Sequence, residues 1–406
     1  MDIKDRNIIR DLAKQYSELS NSPVENKKRD LWCAKNSFKL IDPLIYIRAF
    51  AWHEMPAAQL ETVDPLCRRV ENFFRSELFR ASFDDDYIFE PWYTVNCSYI
   101  NTGWGVEYKS SYADDGTAGA CKFDYPIKDL SDFNKMRPPV HEIDEVKTKE
   151  TFERTRELIG DILTVNLNRG PCCHEWTADI SCDLGKLRGM ENFMLDMYDN
   201  PEWLHGMLDF MSKGIQENQA KAEENGDIGL TFSYNQAMAY AEELQYMVPN
   251  INGVKRSELW GFAAAQEYAL VSPEMHDEFL FQYQIPILKN FGLVAYGCCE
   301  DLSNKIDMLR QLPNLRRIAV SPFADVRKCV EQIGTDYIIS YRPSPADMVS
   351  YGFDEGRIRK ILKRDLEILK GTYFDITLKD VETVEKDPVR IQKWVSVCKE
   401  VISEVC

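Results

Sequence analysis

The feature that most restricts the fold of this chain is a repeated alternation of short apolar strands with helices. The strand-like runs are rich in β-branched and aromatic residues, and the densest are apolar on both faces, which is typical of parallel strands covered by helices. They lie at 43–50, 85–95, 161–169, 227–235, 293–298, 316–323, 336–343 and 372–380. Eight such strands alternating with helices predict an α/β chain folded as a (β/α)₈ TIM-like barrel, although an open sheet is compatible with the number alone.

The helices between the runs carry recognisable start signals. One begins with Asn200 as N-cap and Pro201 at its first helical position, where these residue types are preferred. We expect an α-helical N-terminal extension at residues 1–41 and the barrel at residues 42–406. The connection at 96–150, and another after the predicted fourth strand, are too long for simple turns. Because both follow a strand, we expect them to lie as long loops over the carboxyl-terminal face of the barrel.

The acidic composition excludes several kinds of partner. The 406 residues carry a formal net charge of -17. Such a chain repels nucleic acid and anionic membrane surfaces, so we expect neither as a partner. The charged N-terminus does not resemble a secretory signal, and no apolar run is long enough to span a membrane. These features predict a cytoplasmic protein with mostly reduced cysteines. The oligomeric state does not follow from the sequence, and a homodimer is compatible with it.

Two adjacent cysteines and two carboxylates follow the predicted fifth strand. The apolar run at 293–296 breaks at Gly297 and continues into Cys298, Cys299, Glu300 and Asp301. Barrel enzymes carry their chemistry at the carboxyl ends of strands. Cys298 is therefore a candidate functional thiol, and Glu300 is a candidate catalytic acid or base. Asp301 is expected to cap the helix that follows. The structural alternatives are a core cysteine pair and an acid that stabilises a helix N-terminus.

Polar and aromatic residues near the other strand ends complete the predicted site. Strand ends also need satisfied polar partners, so each of these residues has a structural alternative. The predicted substrate-binding residues are Glu90, Trp104, Asn235, Tyr296 and Arg342. The predicted catalytic residues, besides Glu300, are Lys379 and Asp380 at the end of the eighth strand. His174, which follows two cysteines after the third strand, is a candidate metal ligand.

Several segments of the chain resemble the uroporphyrinogen decarboxylase superfamily. The resemblance covers most of the chain, roughly residues 85 to 406, and it is nearer to the corrinoid-dependent methyltransferases of the superfamily than to true uroporphyrinogen decarboxylases. The segments that carry it are YPIKDLSDFNKMRPP, DILTVNLNRGPCCHEWTADI, MENFMLDMYDNPEWLHGMLDFM and LVSPEMHDEF. The fold that this resemblance implies is a (β/α)₈ barrel, in agreement with the strand pattern.

The resemblance implies methyl transfer between a small methylated compound and the cobalt of a corrinoid, which we expect on a partner protein. The methyltransferases of the superfamily hold zinc with a His-x-Cys motif at the fifth strand and a cysteine after the eighth. Cys298 matches the cysteine of the motif, but Tyr296 stands in the histidine position, and ITLKDVET contains no cysteine. A zinc ion would therefore need a different ligand set, in which Cys298 is joined by ligands from among Cys299, Glu300, Asp380 and His174.

Two other functions are compatible with the sequence. The first is a decarboxylase or another lyase that holds a carboxylate with Arg342 or Arg48. True uroporphyrinogen decarboxylases carry an arginine-rich segment after the first strand, whereas LIYIRAFAWHEMP offers Arg48 alone. One guanidinium would leave most carboxylates of a porphyrinogen unpaired. The second alternative is a non-catalytic barrel that binds a small molecule.

Overall fold

Ten strands and thirteen α-helices form the described part of the chain. A computed structural model describes residues 2–39, 42–48, 50–100, 103–111, 122–170, 179–231, 233–350 and 352–406. The strands are β1 (Ile45–Ile47), β2 (Trp92–Asn96), β3 (Lys109–Ser111), β4 (Lys122–Asp124), β5 (Thr164–Asn168), β6 (Trp260–Ala263), β7 (Leu293–Tyr296), β8 (Leu315–Val320), β9 (Ile338–Tyr341) and β10 (Phe374–Leu378).

The helices cover the strands and precede them at the N-terminus. They are α1 (Ile3–Ser20), α2 (Pro23–Asn36), α3 (Pro65–Arg80), α4 (Glu145–Ile159), α5 (Ile180–Arg188), α6 (Met190–Asp199), α7 (Pro201–Glu224), α8 (Pro273–His276), α9 (Gln282–Leu288), α10 (Ile306–Leu309), α11 (Val326–Ile333), α12 (Glu355–Leu369) and α13 (Arg390–Val405). None of these helices is both long and apolar enough to cross a membrane.

Six parallel strands form the main sheet, in the order β1-β10-β9-β8-β7-β6. β2 and β5 form a separate parallel pair, and β3 and β4 form an antiparallel hairpin in the long connection after β2. Among the described residues, no ladder joins β1 to β2 or β5 to β6. The predicted α/β class and parallel pairing are therefore confirmed, but the predicted closed barrel is not. The main sheet is half of a TIM-like barrel, and the pair β2-β5 belongs to the side that lacks continuous pairing.

The predicted fourth strand is wrong. In the described part of 227–235, the only strand-like pairing is an isolated bridge between Ser233 and Met238, and β6 supplies the fourth strand instead. β6 is easily missed because it consists of four residues, WGFA, two of them small. The segment around Gln236 lies inside the curve of the sheet. Its buried side chain donates hydrogen bonds to the carbonyl oxygens of Tyr296 and Gly297 at 2.8 and 3.0 Å, so this stretch is joined to the end of β7 through a side chain.

The second long connection also lies elsewhere than predicted. It follows α7 and precedes β6, so its later part returns to the amino ends of the strands. There, the side chain of Asn36 donates hydrogen bonds to the carbonyl oxygens of Met238 and Tyr240 at 2.9 and 2.7 Å. This connection therefore joins the N-terminal helices to the sheet and does not form a wall over the carboxyl-terminal face.

Glu90 lies at the opposite end of its strand from the one predicted. β2 begins at Trp92, so Glu90 precedes the strand. Its carboxylate forms a 2.9 Å ion pair with Arg29 of α2 and accepts a 2.7 Å hydrogen bond from Tyr240. All three side chains are largely buried. The structure thus places Glu90 in the contact between the N-terminal helices and the amino ends of the strands, away from the predicted substrate site.

Candidate active site

The turn after β7 brings two thiols to the carboxyl-terminal edge of the sheet. Gly297 has a φ of +95°, a conformation that favours glycine. A Cβ atom at this position would lie 2.6 Å from Cδ1 of Leu302 and 3.2 Å from Cβ of Ala319. Only glycine therefore fits this turn without displacing its neighbours, and the turn leads directly to Cys298 and Cys299.

Four side chains form a compact group that we call the thiol cluster: Cys298, Cys299, Lys379 and Asp380. Nζ of Lys379 lies 2.9 Å from Sγ of Cys298 and 3.0 Å from Sγ of Cys299. The two sulfur atoms are 3.5 Å apart. Oδ2 of Asp380 lies 2.9 Å from Nζ of Lys379 and 3.3 Å from Sγ of Cys299. The cluster joins the carboxyl end of β7 to that of β10, which is where the sequence places its candidate catalytic groups.

Arg342, at the end of β9, forms hydrogen bonds that hold the thiol cluster in place. Its Nη1 donates a 2.6 Å hydrogen bond to the carbonyl oxygen of Cys298, and its Nη2 donates one of 2.6 Å to Oδ1 of Asn235. The amide nitrogen of Asn235 lies 3.7 Å from Sγ of Cys298. Arg342 and Asn235 are both buried. Both residues therefore lie at the candidate site and hold the Cys298 loop in place, and their role in substrate binding stays a prediction.

The environment of Cys298 favours its thiolate. The hydrogen bond from Cys299 and the positive charges of Arg342 and Lys379 outweigh the effect of burial, and they lower the pKa of the Cys298 thiol below its ordinary value. The hydrogen bond to Cys298 and burial raise the pKa of Cys299, despite the nearby ammonium group. The pair therefore carries one negative charge, which lies on Cys298. Cys299 keeps its proton and donates it in a hydrogen bond to Cys298.

The thiol cluster lines a pocket of about 270 Å³. The remaining walls come from the ends of β8 and β9 and are mostly apolar. They consist of Pro322, Phe323, Arg342, Pro343, Ser344 and Pro345. The ring of Phe323 is 78% exposed at the rim, although large apolar side chains usually avoid water. This pocket suits a small, partly apolar molecule with one polar group directed at the thiol cluster.

Glu300 is buried beside the cluster, and both of its carboxylate oxygens are engaged. Oε1 accepts a 2.7 Å hydrogen bond from the backbone N–H of Ala265, and Oε2 accepts one of 2.9 Å from the N–H of Cys298. The side chain thus ties the end of β6 to the Cys298 loop. Asp301 accepts hydrogen bonds from the backbone N–H and the hydroxyl of Ser303. It therefore caps a turn, and the helix predicted to follow it directly begins later, at Ile306.

Changing Glu300 to glutamine should lower the free energy of unfolding by about 1–3 kcal/mol, because the amide group would face a buried backbone N–H that loses its acceptor. Asp301→Asn is the matched control. Asparagine keeps the Oδ1 acceptor, so we expect a change within about 0.5 kcal/mol. Urea unfolding followed by circular dichroism measures both. Equal stability of Glu300→Gln and the native protein would show that these backbone bonds contribute little, and would favour the predicted role of Glu300 as an acid.

Of the predicted substrate-binding residues, Arg342 lines the pocket, Glu90 and Asn235 do not, and two others point elsewhere. Tyr296 points into the helix layer, where its hydroxyl donates a 2.7 Å hydrogen bond to Gln284 and lies 3.0 Å from Nε2 of His276. Trp104 is buried and donates a 2.8 Å hydrogen bond to Asp183. The prediction overlooked that side chains of a strand alternate between its two faces, and that a loop tryptophan also fills the core. His174 lies outside the described residues.

Sequence reasoning also missed some of the residues that form the pocket. The sequence predicts Cys299 only as an alternative metal ligand, although it contacts both Lys379 and Asp380. The walls after β8 and β9 contain three prolines and Phe323. Two features of the sequence could have identified these wall residues. They come directly after predicted strands, and their proline residues keep the loop backbone extended.

The side chains at the thiol cluster do not fit the zinc site of the superfamily. The described residues contain no group of three or more His, Cys, Asp or Glu side chains that could hold a metal ion. The residue at the histidine position, Tyr296, points away from Cys298, and Lys379 places an ammonium group against both sulfur atoms. The ammonium group of Lys379 thus occupies the position beside the two sulfur atoms that a metal ion would take.

Comparison with solved structures finds proteins of similar fold, a methyltransferase among them. A methyltransferase from Methanosarcina mazei is 13% identical to this chain with a TM-score of 0.52, and the match covers 92% of this chain and 97% of the methyltransferase. No family model matches the sequence, and no curated protein matches it. At this identity the likeness shows the fold alone: nearly the whole chain shares the α/β architecture of that methyltransferase.

Proposed function

We propose that this protein is a methyltransferase that moves a methyl group between a small methylated compound and the cobalt of a partner corrinoid protein. The shared fold with the methyltransferase from Methanosarcina mazei supports methyl transfer, and the sequence segments described above support the corrinoid partner. The observation that carries the proposal is the thiol cluster, which places a thiol, an ammonium group and a carboxylate on the wall of one small pocket.

The thiol cluster offers the proton chemistry that demethylation needs. An alkoxide or an unprotonated amine anion is a poor leaving group, so the atom that loses the methyl group requires a proton. In our proposal, the bond between the methyl carbon and this atom breaks, the electron pair stays on the atom, and the protonated form of Cys298, which the lowered pKa makes the minor form near neutrality but a stronger acid, supplies the proton. Lys379 and Arg342 stabilise the thiolate that remains. Water then returns a proton to Cys298, and the reverse reaction uses the thiolate as the base.

The remaining groups position this acid. Asp380 holds the ammonium group of Lys379 at 2.9 Å, and Asn235 and Glu300 fix the loop that carries Cys298. The corrinoid of the partner protein would supply the cobalt that accepts or donates the methyl group. The apolar rim around Phe323 leaves room for the rest of a small substrate.

The proposal is tested by methyl transfer to free cob(I)alamin from a panel of methoxylated compounds and methylamines, followed by the change in cobalamin absorbance. We expect at least one compound to react. Cys298→Ala should lower its turnover by about 10²-fold or more, the usual contribution of a general acid. Cys406→Ala removes an exposed thiol at the C-terminus and should leave turnover unchanged.

The alternative functions predict different results in the same experiment. Release of carbon dioxide from a carboxylate substrate without methyl transfer would contradict the proposal and favour a lyase. Arg342 is one of the residues that line the pocket, so a carboxylate bound there would meet a positively charged guanidinium group. Binding of a small molecule without turnover would favour a non-catalytic barrel.

A further inference from the structure

The geometry points to a metal-independent thiol site, in which the ammonium group of Lys379 takes the position that a zinc ion would occupy against Cys298 and Cys299. The position of the ammonium group does not depend on which small molecule reacts, and it can be tested without a substrate.

The three other side chains of the thiol cluster converge on one point, and Nζ of Lys379 fills it. The sulfur atoms of Cys298 and Cys299 are 3.5 Å apart, close to the separation of about 3.8 Å that two thiolates have on a tetrahedral zinc ion with bonds of about 2.3 Å. Oδ2 of Asp380 completes a third corner, 2.9 Å from Nζ. A metal ion at this point would have to displace the ammonium group, or lie next to a positive charge within a few ångströms.

The other predicted ligands face elsewhere in the described part of the chain. Both oxygens of Glu300 accept hydrogen bonds from backbone N–H groups. Tyr296 bonds to Gln284 in the helix layer. With Lys379 moved aside, Cys298, Cys299 and Asp380 supply at most three ligands, so a zinc ion there would need water as its fourth ligand. The lysine thus compensates the negative charge of the cluster with a cation that cannot dissociate.

Lys379 is also held in place by its neighbours and by its backbone. It is 92% buried, with 8% of its surface exposed, and the next residue, Asp380, has a φ of +56°, an uncommon conformation for a residue other than glycine. The left-handed turn directs the Asp380 carboxylate back towards the lysine of the same strand end. A buried ammonium group needs such partners, because unpaired burial of a charge is costly.

The test is zinc binding by the full-length protein, measured by competition with a chromophoric chelator and by elemental analysis after dialysis. We expect the native protein to retain no stoichiometric zinc. Lys379→Ala removes the competing cation and leaves two thiols and a carboxylate around the empty point. It should therefore bind about one zinc ion per chain at least about 100-fold more tightly than the native protein. The double variant Lys379→Ala/Cys298→Ser is the matched control and should lose this gain.

Two outcomes would overturn the inference. One is a native protein that retains one zinc ion per chain and loses it on Cys298→Ser. The other is a folded Lys379→Ala variant that binds zinc no more tightly than the native protein. Circular dichroism checks the fold of each variant. If Lys379→Ala does not fold, Lys379→Ser, which leaves a small polar side chain in the same space, carries the same expectations.

Discussion

Replacing Lys379 with methionine should slow methyl transfer by about 10²- to 10³-fold, the usual effect of removing one preorganised charge that stabilises a developing anion. Methionine has a similar length and keeps the packing of the end of β10, but it removes the hydrogen bonds to both sulfur atoms. The thiolate of Cys298 then loses its nearest positive charge as it forms. Turnover with a substrate found by the cobalamin assay measures the effect.

Lys360→Met, on the exposed face of α12, is the control for loss of a lysine and should retain full turnover. Lys379→Arg keeps the positive charge with a different shape, so it should retain more activity than Lys379→Met. A Lys379→Met variant with native turnover would contradict the role of the ammonium group.

The same substitution should move thiolate formation at Cys298 to higher pH. The hydrogen bond from Cys299 and the charges of Arg342 and Lys379 lower the pKa of Cys298. Removing one of these charges raises the pKa, so less thiolate is present near neutrality. The rate of iodoacetamide labelling of Cys298, followed by peptide mass spectrometry across pH, reports this shift. If the midpoint of the labelling rate against pH is unchanged in Lys379→Met, this prediction is contradicted. A lysine with a purely structural role would alter stability and leave that midpoint unchanged.

Breaking the ion pair inside the sheet should have the largest effect on stability. Arg317 of β8 and Asp375 of β10 form a salt bridge in which both side chains are fully buried. Arg317 also donates a 2.9 Å hydrogen bond to Asn36 at the end of α2. Arg317→Met leaves the carboxylate of Asp375 buried without its guanidinium group, and we expect the free energy of unfolding to fall by about 3–5 kcal/mol.

Two comparisons distinguish this effect from a general loss of packing. The double variant Arg317→Met/Asp375→Leu removes both charges and should recover much of the loss, because a buried pair replaced by apolar residues is often tolerated. Arg10→Met breaks an exposed pair with Asp161 and should cost at most about 1 kcal/mol. Urea unfolding measures all three variants. A double variant as unstable as Arg317→Met would show that the lost packing of the long arginine side chain, and not the uncompensated charge, is responsible.

The sequence alone was sufficient to predict the α/β class and most of the strands. Seven of the eight predicted runs overlap observed strands. A buried parallel strand appears in the sequence as a short run of apolar residues, and such a run can be recognised from neighbouring residues alone. The position of Cys298 at the end of β7 follows for the same reason: the apolar run stops at Gly297, where the backbone must turn. Residues that lie directly at such strand ends, Arg342 and Asp380 among them, were correctly expected near the carboxyl-terminal edge.

Contacts between residues far apart in the chain were decided only by the tertiary structure. Lys379 and Cys298 are 81 positions apart, and nothing in either local sequence says that the ammonium group points at both thiols. Local pattern also cannot tell the two faces of a strand apart, so it predicts Tyr296 as a substrate-binding residue although its side chain lies in the helix layer. Nor could it show that Glu90 precedes its strand and pairs with Arg29 of α2, because an ion pair between distant elements depends on how the sheet and the helices pack. The strand pattern is a property of a few neighbouring residues, whereas the site is a property of where the ends of β7, β9 and β10 meet.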